Sequence, residues 1–352
     1  MTVRRLRYGR KLDDFEVGHV YAHPWSVTVD SGMLALWQGS FLDANPLYSS
    51  SEYAQDAGFA SRVVPHSLVL NLGLSFSVHD VSQQAIAHLA YIDVKYPEPL
   101  YLGDTFTAFS EVLAVKPSKS KADRGTVHVR TVGVNQHNNV VLSFERKALI
   151  RAGRVEGRPE MPVRKISSRL LGLSKDVSTV PSDLRSWADK CVPIGQPGLW
   201  EDFREGDIFC HDSGRTVGES EHMMLTTLVR NSHPLHFDNG YCQEHSFKKE
   251  RIVYGGLVLG WTLGMASWDT GGNVLWELGL DNGAHPAPVL AGDTLYAASK
   301  VIRRREVNRH CGEVTFRLVG VKNVHPEQLI EKGAELFVAE RDKDASAKCP
   351  EK

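Results

Sequence analysis

Apolar and polar positions along this chain run through the same succession twice. A short alternating stretch at 20–25 leads into a helical run in which Met33, Leu34, Leu36 and Trp37 share a face. The stretch at 208–211 leads likewise to Met223, Met224 and Leu228. A proline-containing loop closes each run, Asp43-Ala44-Asn45-Pro46 in one case and Asn231-Ser232-His233-Pro234 in the other, because proline cannot continue a helix. A strongly apolar segment then begins near His66 and again near Tyr254, and it reads as a long buried helix. Three or four alternating segments follow, such as 126–134 with Val127, Val129 and Val132, and 140–150. One apolar helix wrapped by one antiparallel sheet is an α+β layout.

The repetition is residue by residue. At an offset of 188, Asp14-Phe15 meets Asp202-Phe203, Gly18 meets Gly206, His23 meets His211 and Pro46-Leu47 meets Pro234-Leu235. At 189, Leu68-Val69-Leu70 meets Leu257-Val258-Leu259, Pro97 and Pro99 meet Pro286 and Pro288, and Gly103-Asp104-Thr105 meets Gly292-Asp293-Thr294. At 187, Gly125, Val127 and Gly133-Val134 meet Gly312, Val314 and Gly320-Val321. So small a drift across a whole unit marks a tandem duplication. The expected units are 12–150 and 198–340, joined by a linker at 151–197 rich in Ser, Pro, Arg and Lys. Ser182 is placed to cap one short helix there, from Asp183 to Lys190.

Composition narrows the setting. The 352 residues suffice for two domains with real cores, and a net charge of −1 gives no general affinity for nucleic acid or anionic membrane. The basic N-terminus lacks the apolar core of a secretory signal. The segment from Tyr254 to Trp268 is too short and too glycine-rich to span a bilayer. Five cysteines (Cys191, Cys210, Cys242, Cys311, Cys349) without CxxC spacing point to no disulfide framework, no metal site and a reducing cytoplasm. Cys349 is expected to lie in a frayed polar tail.

The helix–loop–Pro-Leu-His pattern, the glycine-led buried helix and the Ala-Gly-Asp-Thr strand start resemble the MaoC-like, R-specific enoyl-CoA hydratases. The resemblance covers both units and implies a tandem (double) hotdog fold, each unit an antiparallel sheet around a central helix. It further implies a cofactor-independent hydro-lyase acting on acyl-CoA thioesters, cytoplasmic and homodimeric, with no nucleic-acid or membrane partner. The strings RIVYGGLVLGW and NSHPLHFD resemble two-unit members of that family, which implies reversible exchange of mesaconyl-CoA (2-methylfumaryl-CoA) and β-methylmalyl-CoA. Another enoyl-CoA hydratase, a hotdog thioesterase or a non-catalytic acyl-CoA-binding protein are the alternatives.

The family motif, Asp-x-Asn-Pro-Leu-His, is complete in neither copy. The first has Asp43, Asn45, Pro46 and Leu47 but Tyr48 where the histidine belongs; the second has His236 but Asn231 and His233 at the Asp and Asn positions. The His-Gly pair that opens the central helix is Pro65-His66 in one copy and Tyr254-Gly255 in the other. Imidazole suits the activation of water near neutral pH, whereas a phenol titrating near 10 is a poor base. The resemblance therefore implies that the second unit is catalytic, with His236 as base, Asn231 as orienting amide and the Gly255 N–H holding the thioester oxygen. Read blandly, His236 is a loop histidine satisfied by backbone, Asn231 a helix C-terminal residue, and the glycines a packing device. Tyr254, Gly256 and Asp43 are further candidates to meet substrate, Lys249, Arg251 and Arg303 to meet CoA phosphates, and Arg230, Arg62 or His66 to meet a free substrate carboxylate.

Overall fold

The computed structural model describes residues 8–157, 198–309 and 311–352. Residues 158–197 of the expected 151–197 linker, with the expected helix from Asp183 to Lys190, lie outside the described residues. In the first unit β1 (Val20–Thr28) leads to α1 (Ser31–Phe41), a 3-10 turn (Pro46–Tyr48), α2 (Ser51–Asp56) and α3 (His66–Phe76). Strands β2 (Ala85–Lys95), β3 (Thr105–Pro117), β4 (Arg124–Val134) and β5 (Val140–Arg151) then wrap α3. The second unit runs β6 (Ile208–Cys210), β7 (Arg215–Thr216), α4 (Glu219–Leu228), α5 (Asn239–His245) and α6 (Gly255–Ala266). It continues with β8 (Gly279–Leu280), β9 (Thr294–Asn308), β10 (Cys311–Lys322) and α7 (Pro326–Glu331). This is the tandem hotdog that the periodicities and the resemblance lead to.

Local chemistry sets the boundaries. Asp30 caps α1 by accepting from the Met33 N–H at 2.8 Å, and Leu42 ends it in the left-handed region at φ 53°. The apolar helices α3 and α6 cross at the centre of the molecule, where Asn71 Nδ2 donates to the Gly256 carbonyl at 3.0 Å. A Cβ on Gly264 would collide with the Phe41 carbonyl, so that glycine serves close packing of α1 on α6. Each central helix ends in a π-helical turn whose aspartate holds a buried histidine. His23 bridges Asp80 (3.0 Å) and Ser110 (2.8 Å), and His211 bridges Asp269 (2.7 Å) and Ser299 (2.9 Å). The duplication therefore extends to buried polar struts.

The two sheets differ. The first has the order β1-β3-β4-β5-β2-β8, so its last strand comes from the second unit, with Val94 opposite Leu280 and Lys95 opposite Gly279. The units thus meet edge to edge. The second sheet consists of β6 and β7 beside β9, then β10, and among the described residues it has no counterpart of β5. The similar strand order expected of both copies therefore does not hold. The counterpart of β2 shrinks to the two residues of β8, hemmed in by Gly279 (φ 141°) and Asn282 (φ 56°). Where a fifth strand would run, Pro326 starts α7 instead. The C-terminal segment is not frayed. Cys349 is buried with Val319, Val321, Leu329 and Leu336, and the Lys322 N–H donates to the Glu351 carbonyl at 2.7 Å.

Candidate active site

The two proline loops are built alike. After α1, Asp43 Oδ1 accepts from the Asn45 N–H and Asn45 Oδ1 from the Leu47 N–H, each at 3.0 Å. After α4, Asn231 Oδ1 accepts from the His233 N–H at 3.0 Å and His233 Nδ1 from the Leu235 N–H at 3.1 Å. His233 has thus taken over the capping task of Asn45. Each loop is latched to the other unit, since the Ala44 N–H donates to Ser267 Oγ at 2.8 Å and Ser232 Oγ donates to Gln83 Oε1 at 2.6 Å. Both loops consequently present their side chains to a seam between the units.

At the second-unit loop the seam opens into a cavity of about 120 Å³. This is well below the roughly 300–1,000 Å³ of pockets that swallow drug-sized ligands, and it suits a short acyl group. Asn231, His236, Tyr254, Gly255 and His285 line it from one unit, and Leu74, Ser82, His88, Tyr91 and Arg146 from the other. His236 Nδ1 lies 2.7 Å from the Ile252 carbonyl. A carbonyl can only accept, so Nδ1 carries the proton and Nε2 keeps its lone pair for the cavity. Burial lowers the His236 pKa to about 4, against the partial opposition of that hydrogen bond, so the ring is neutral at physiological pH. The Tyr254 hydroxyl accepts from Ser75 Oγ at 3.2 Å and is hydrogen-bonded to Asn231, and burial raises its pKa. Gly255 is the first residue of α6, where backbone N–H groups have no partner within the helix and attract negative charge. A Cβ on Gly255 would lie 2.8 Å from His285 Nε2, so only glycine leaves that helix end open beside the histidine.

The corresponding place at the first-unit loop is filled. His66 stands where Gly255 stands in the other copy, and its ring packs 4.4 Å from Tyr96 and 4.5 Å from Trp276. Tyr48 Oη is hydrogen-bonded to His66 Nδ1 at 3.1 Å, and Glu277 Oε2 lies 3.7 Å from the same nitrogen. Burial lowers the His66 pKa to about 3 and raises those of Asp43 and Glu277 to about 6 and about 8.

The structure thus gathers His236, Asn231, Tyr254 and Gly255 around one cavity and keeps Asp43 and His66 at the other seam. Gly256 packs against Asn71 directly behind the helix start. Arg230 is exposed, Arg62 partly so, and neither lines the cavity. Lys249 is exposed in the segment leading into α6, Arg251 in that segment pairs with Glu219, and Arg303 lies on an exposed stretch of β9. The sequence reading missed His88, Tyr91, His285 and Arg146. For Arg146 a signal existed, because it shares parity with Leu142, Phe144, Ala148 and Ile150 on a strand whose inward face is otherwise apolar. Among the described residues, no cluster of His, Cys, Asp and Glu could hold a metal ion, and no helix is long and apolar enough to cross a membrane.

Comparison with known proteins identifies the family and the fold. Residues 3–158 match the family model "Mesaconyl-CoA hydratase", and residues 205–321 match the model of the MaoC-like domain. The chain is 31% identical to a mesaconyl-CoA hydratase of Cereibacter sphaeroides, covering 90% of both proteins. It is 30% identical to a β-methylmalyl-CoA dehydratase of Chloroflexus aurantiacus, covering 90% of this chain and 89% of the relative. A crystal structure described as a putative MaoC domain protein dehydratase from Chloroflexus aurantiacus superposes with a TM-score of 0.77 at 28% identity, covering 90% of each chain. A double-hotdog protein of Mycobacterium tuberculosis superposes at 0.72 and 22% identity, over 89% of this chain and 92% of that one, which speaks for the fold alone. Similarity over nearly the full length at this identity places the chain in the mesaconyl-CoA hydratase family of MaoC-like double-hotdog proteins.

Proposed function

We propose that the protein is a hydro-lyase that adds water to a methyl-branched enoyl-CoA, mesaconyl-CoA, to give β-methylmalyl-CoA, and catalyses the reverse dehydration. The observation that carries this reading is the pairing of a neutral His236, its Nε2 unprotonated, with the open N-terminus of α6 at Gly255, around one small cavity. In this reading Nε2 accepts a proton from water as the oxygen bonds to the β-carbon. The negative charge that develops on the thioester oxygen is stabilised by the Gly255 N–H and the positive end of the helix. The imidazolium then returns its proton to the α-carbon, so water is added across the double bond with no other reactant. Asn231, hydrogen-bonded to Tyr254, orients the water without exchanging a proton. Units 12–150 and 198–340 act as one body in this scheme, because the cavity needs both. The exposed Lys249, beside the entry to α6, is the residue we assign to CoA phosphate.

The relatives named as hydratase and dehydratase support the reaction class. The test is a panel of enoyl-CoA and hydroxyacyl-CoA thioesters, followed by loss or gain of enoyl absorbance and, in parallel, by release of free thiol. Water addition to mesaconyl-CoA without thiol release is expected. Thiol release alone would make the protein a thioesterase, and tight binding without turnover would make it an acyl-CoA-binding protein.

A further inference from the structure

Arg146 is a buried charge for which the described residues supply no counter-charge. It is only 2% exposed, and among the described residues no carboxylate lies within ion-pair distance of it. Its Nη2 donates to Ser77 Oγ at 2.8 Å, and Nη1 and Nη2 approach Ser82 Oγ at 3.2 and 3.3 Å. These acceptors are neutral, and the Nε–H has no acceptor. Asp80 is occupied by Arg10 (2.9 Å) and His23 (3.0 Å). Burial lowers the guanidinium pKa only to about 10, so Arg146 is fully charged at neutral pH. An ion held this way is costly unless something charged and well oriented meets it.

The surroundings of Arg146 show where that partner would sit. Arg146 lines the same cavity as His236 and Gly255. On β2 its cross-strand neighbour is Tyr91, while His88 stands opposite Ala148, whose small side chain leaves room beside the guanidinium. Both ring nitrogens of His88 are buried without a partner, and burial keeps that ring neutral, so it can donate to an anion without competing charge. The arrangement is a cation with an unused N–H, flanked by an unpaired imidazole, facing a space sized for a short acyl group.

We propose that Arg146 binds a free carboxylate on the acyl group of the substrate, and that it thereby selects dicarboxylyl-CoA thioesters over their monocarboxylic analogues. This deepens the hydro-lyase reading and rests on it for the identity of the site. A planar guanidinium matches a carboxylate in geometry as well as charge. The binding determinant comes from β5 of the first unit and the base from the second. Among the described residues the other seam has no equivalent, because the second sheet has no counterpart of β5 there.

The test uses saturated, unreactive thioesters, so that it reads binding whatever the reaction turns out to be. Calorimetry on the full-length protein compares 2-methylsuccinyl-CoA with butyryl-CoA. The parent is expected to prefer the dicarboxylyl thioester by about thirtyfold or more, the lower end of what a buried, hydrogen-bonded charge contact is worth. Arg146→Met should remove that preference while leaving butyryl-CoA affinity within about threefold, and Arg146→Lys, which keeps the charge but not the fork, should restore part of it. Equal affinity of the parent for both thioesters overturns the proposal without needing any variant to fold. So does an Arg146→Met protein that loses affinity for both equally, since the guanidinium would then be gripping the thioester or the CoA moiety. A parent that shows the preference but hydrates no enoyl-CoA would leave Arg146 assigned and overturn the hydro-lyase reading.

Discussion

In the first unit five strands wrap α3, and every one of its 11 residues is buried. In the second unit two long strands do that work, and Val258, Leu259 and Leu263 of α6 remain partly exposed. The chemistry runs the other way. The first unit has Tyr48 and a plugging His66 at its seam, while the second has His236 and an open helix end at Gly255. Duplicated units that share a core need not each keep both a complete sheet and a complete site. The first copy retains the framework and lends Arg146, His88 and Tyr91 across the seam; the second copy retains the imidazole that we propose as the base and, among the described residues, has fewer strands.

The sharpest way to break this division is to remove the proposed base at one seam and the side chain that stands in its place at the other. Replacing His236 with Ala is expected to lower kcat/KM for mesaconyl-CoA at least about a hundredfold, within the usual range for loss of a general base. Tyr48→Phe deletes only the hydroxyl bonded to His66 and should stay within about twofold. Comparable losses at both positions would mean that both seams turn over substrate.

The helix starts give a second contrast. In Gly255→Ala the new methyl meets His285 and crowds the N–H proposed to hold the thioester oxygen. We expect a loss of about thirtyfold in kcat with KM little changed, somewhat less than the deletion of a complete oxyanion donor. The partner change, His66→Ala at the other seam, should cost stability through the cavity it leaves but spare kcat. A kcat that falls with His66→Ala and survives Gly255→Ala would reverse the assignment.

Much of this contrast was legible in the sequence, and what was not had a physical reason. The constant offset revealed the duplication, and the broken motifs revealed which copy held an imidazole. The abbreviated second sheet escaped notice because the glycines, Asn282 and Pro326 that end its strands lie where the repeat offset stops being informative. The residues lent across the seam escaped for a different reason. His88 and Arg146 lie far from His236 in the chain, in the other unit, and the pairing of β2 with β8 and the latches between the units bring them to one cavity. Arg146 was nonetheless visible as a charge at an inward strand position, a local conflict of the kind that marks function.

Asn231 permits a finer test of why the motif is broken on the side that we propose to be catalytic. An aspartate there would face a substrate that already carries a carboxylate. Arg146 neutralises much of that charge, so the residual repulsion is modest: at about 6 Å and an effective dielectric near 40 it is about 1.4 kcal/mol, or roughly tenfold. Asn231→Asp should therefore lower kcat/KM for mesaconyl-CoA about tenfold relative to crotonyl-CoA. An equal effect on both substrates would make Asn231 a positioning residue with no part in selecting the acyl group.

The smallest expected effect separates the two seams most cleanly, because their titratable groups ionise in different ranges. Around the cavity, burial lowers His236 and His285 to about 4. At the other seam, burial raises Asp43 to about 6 and Glu277 to about 8. A base acts when unprotonated, so lowering its pKa carries the acid limb of kcat/KM to lower pH. An unshifted histidine would lose about thirtyfold between pH 8 and pH 5, whereas His236 at about 4 should lose less than about twofold over that interval. Chemistry at Asp43 or Glu277 would instead put a limb near pH 6 or pH 8. Asp43→Asn and Glu277→Gln provide the comparison, since the phosphates and free carboxylate of the substrate titrate identically with parent and variants. We expect the three profiles to superimpose from pH 5 to pH 8. A limb present in the parent and abolished by either substitution would move the reacting atoms to the first-unit seam, and His236 would then be a bystander.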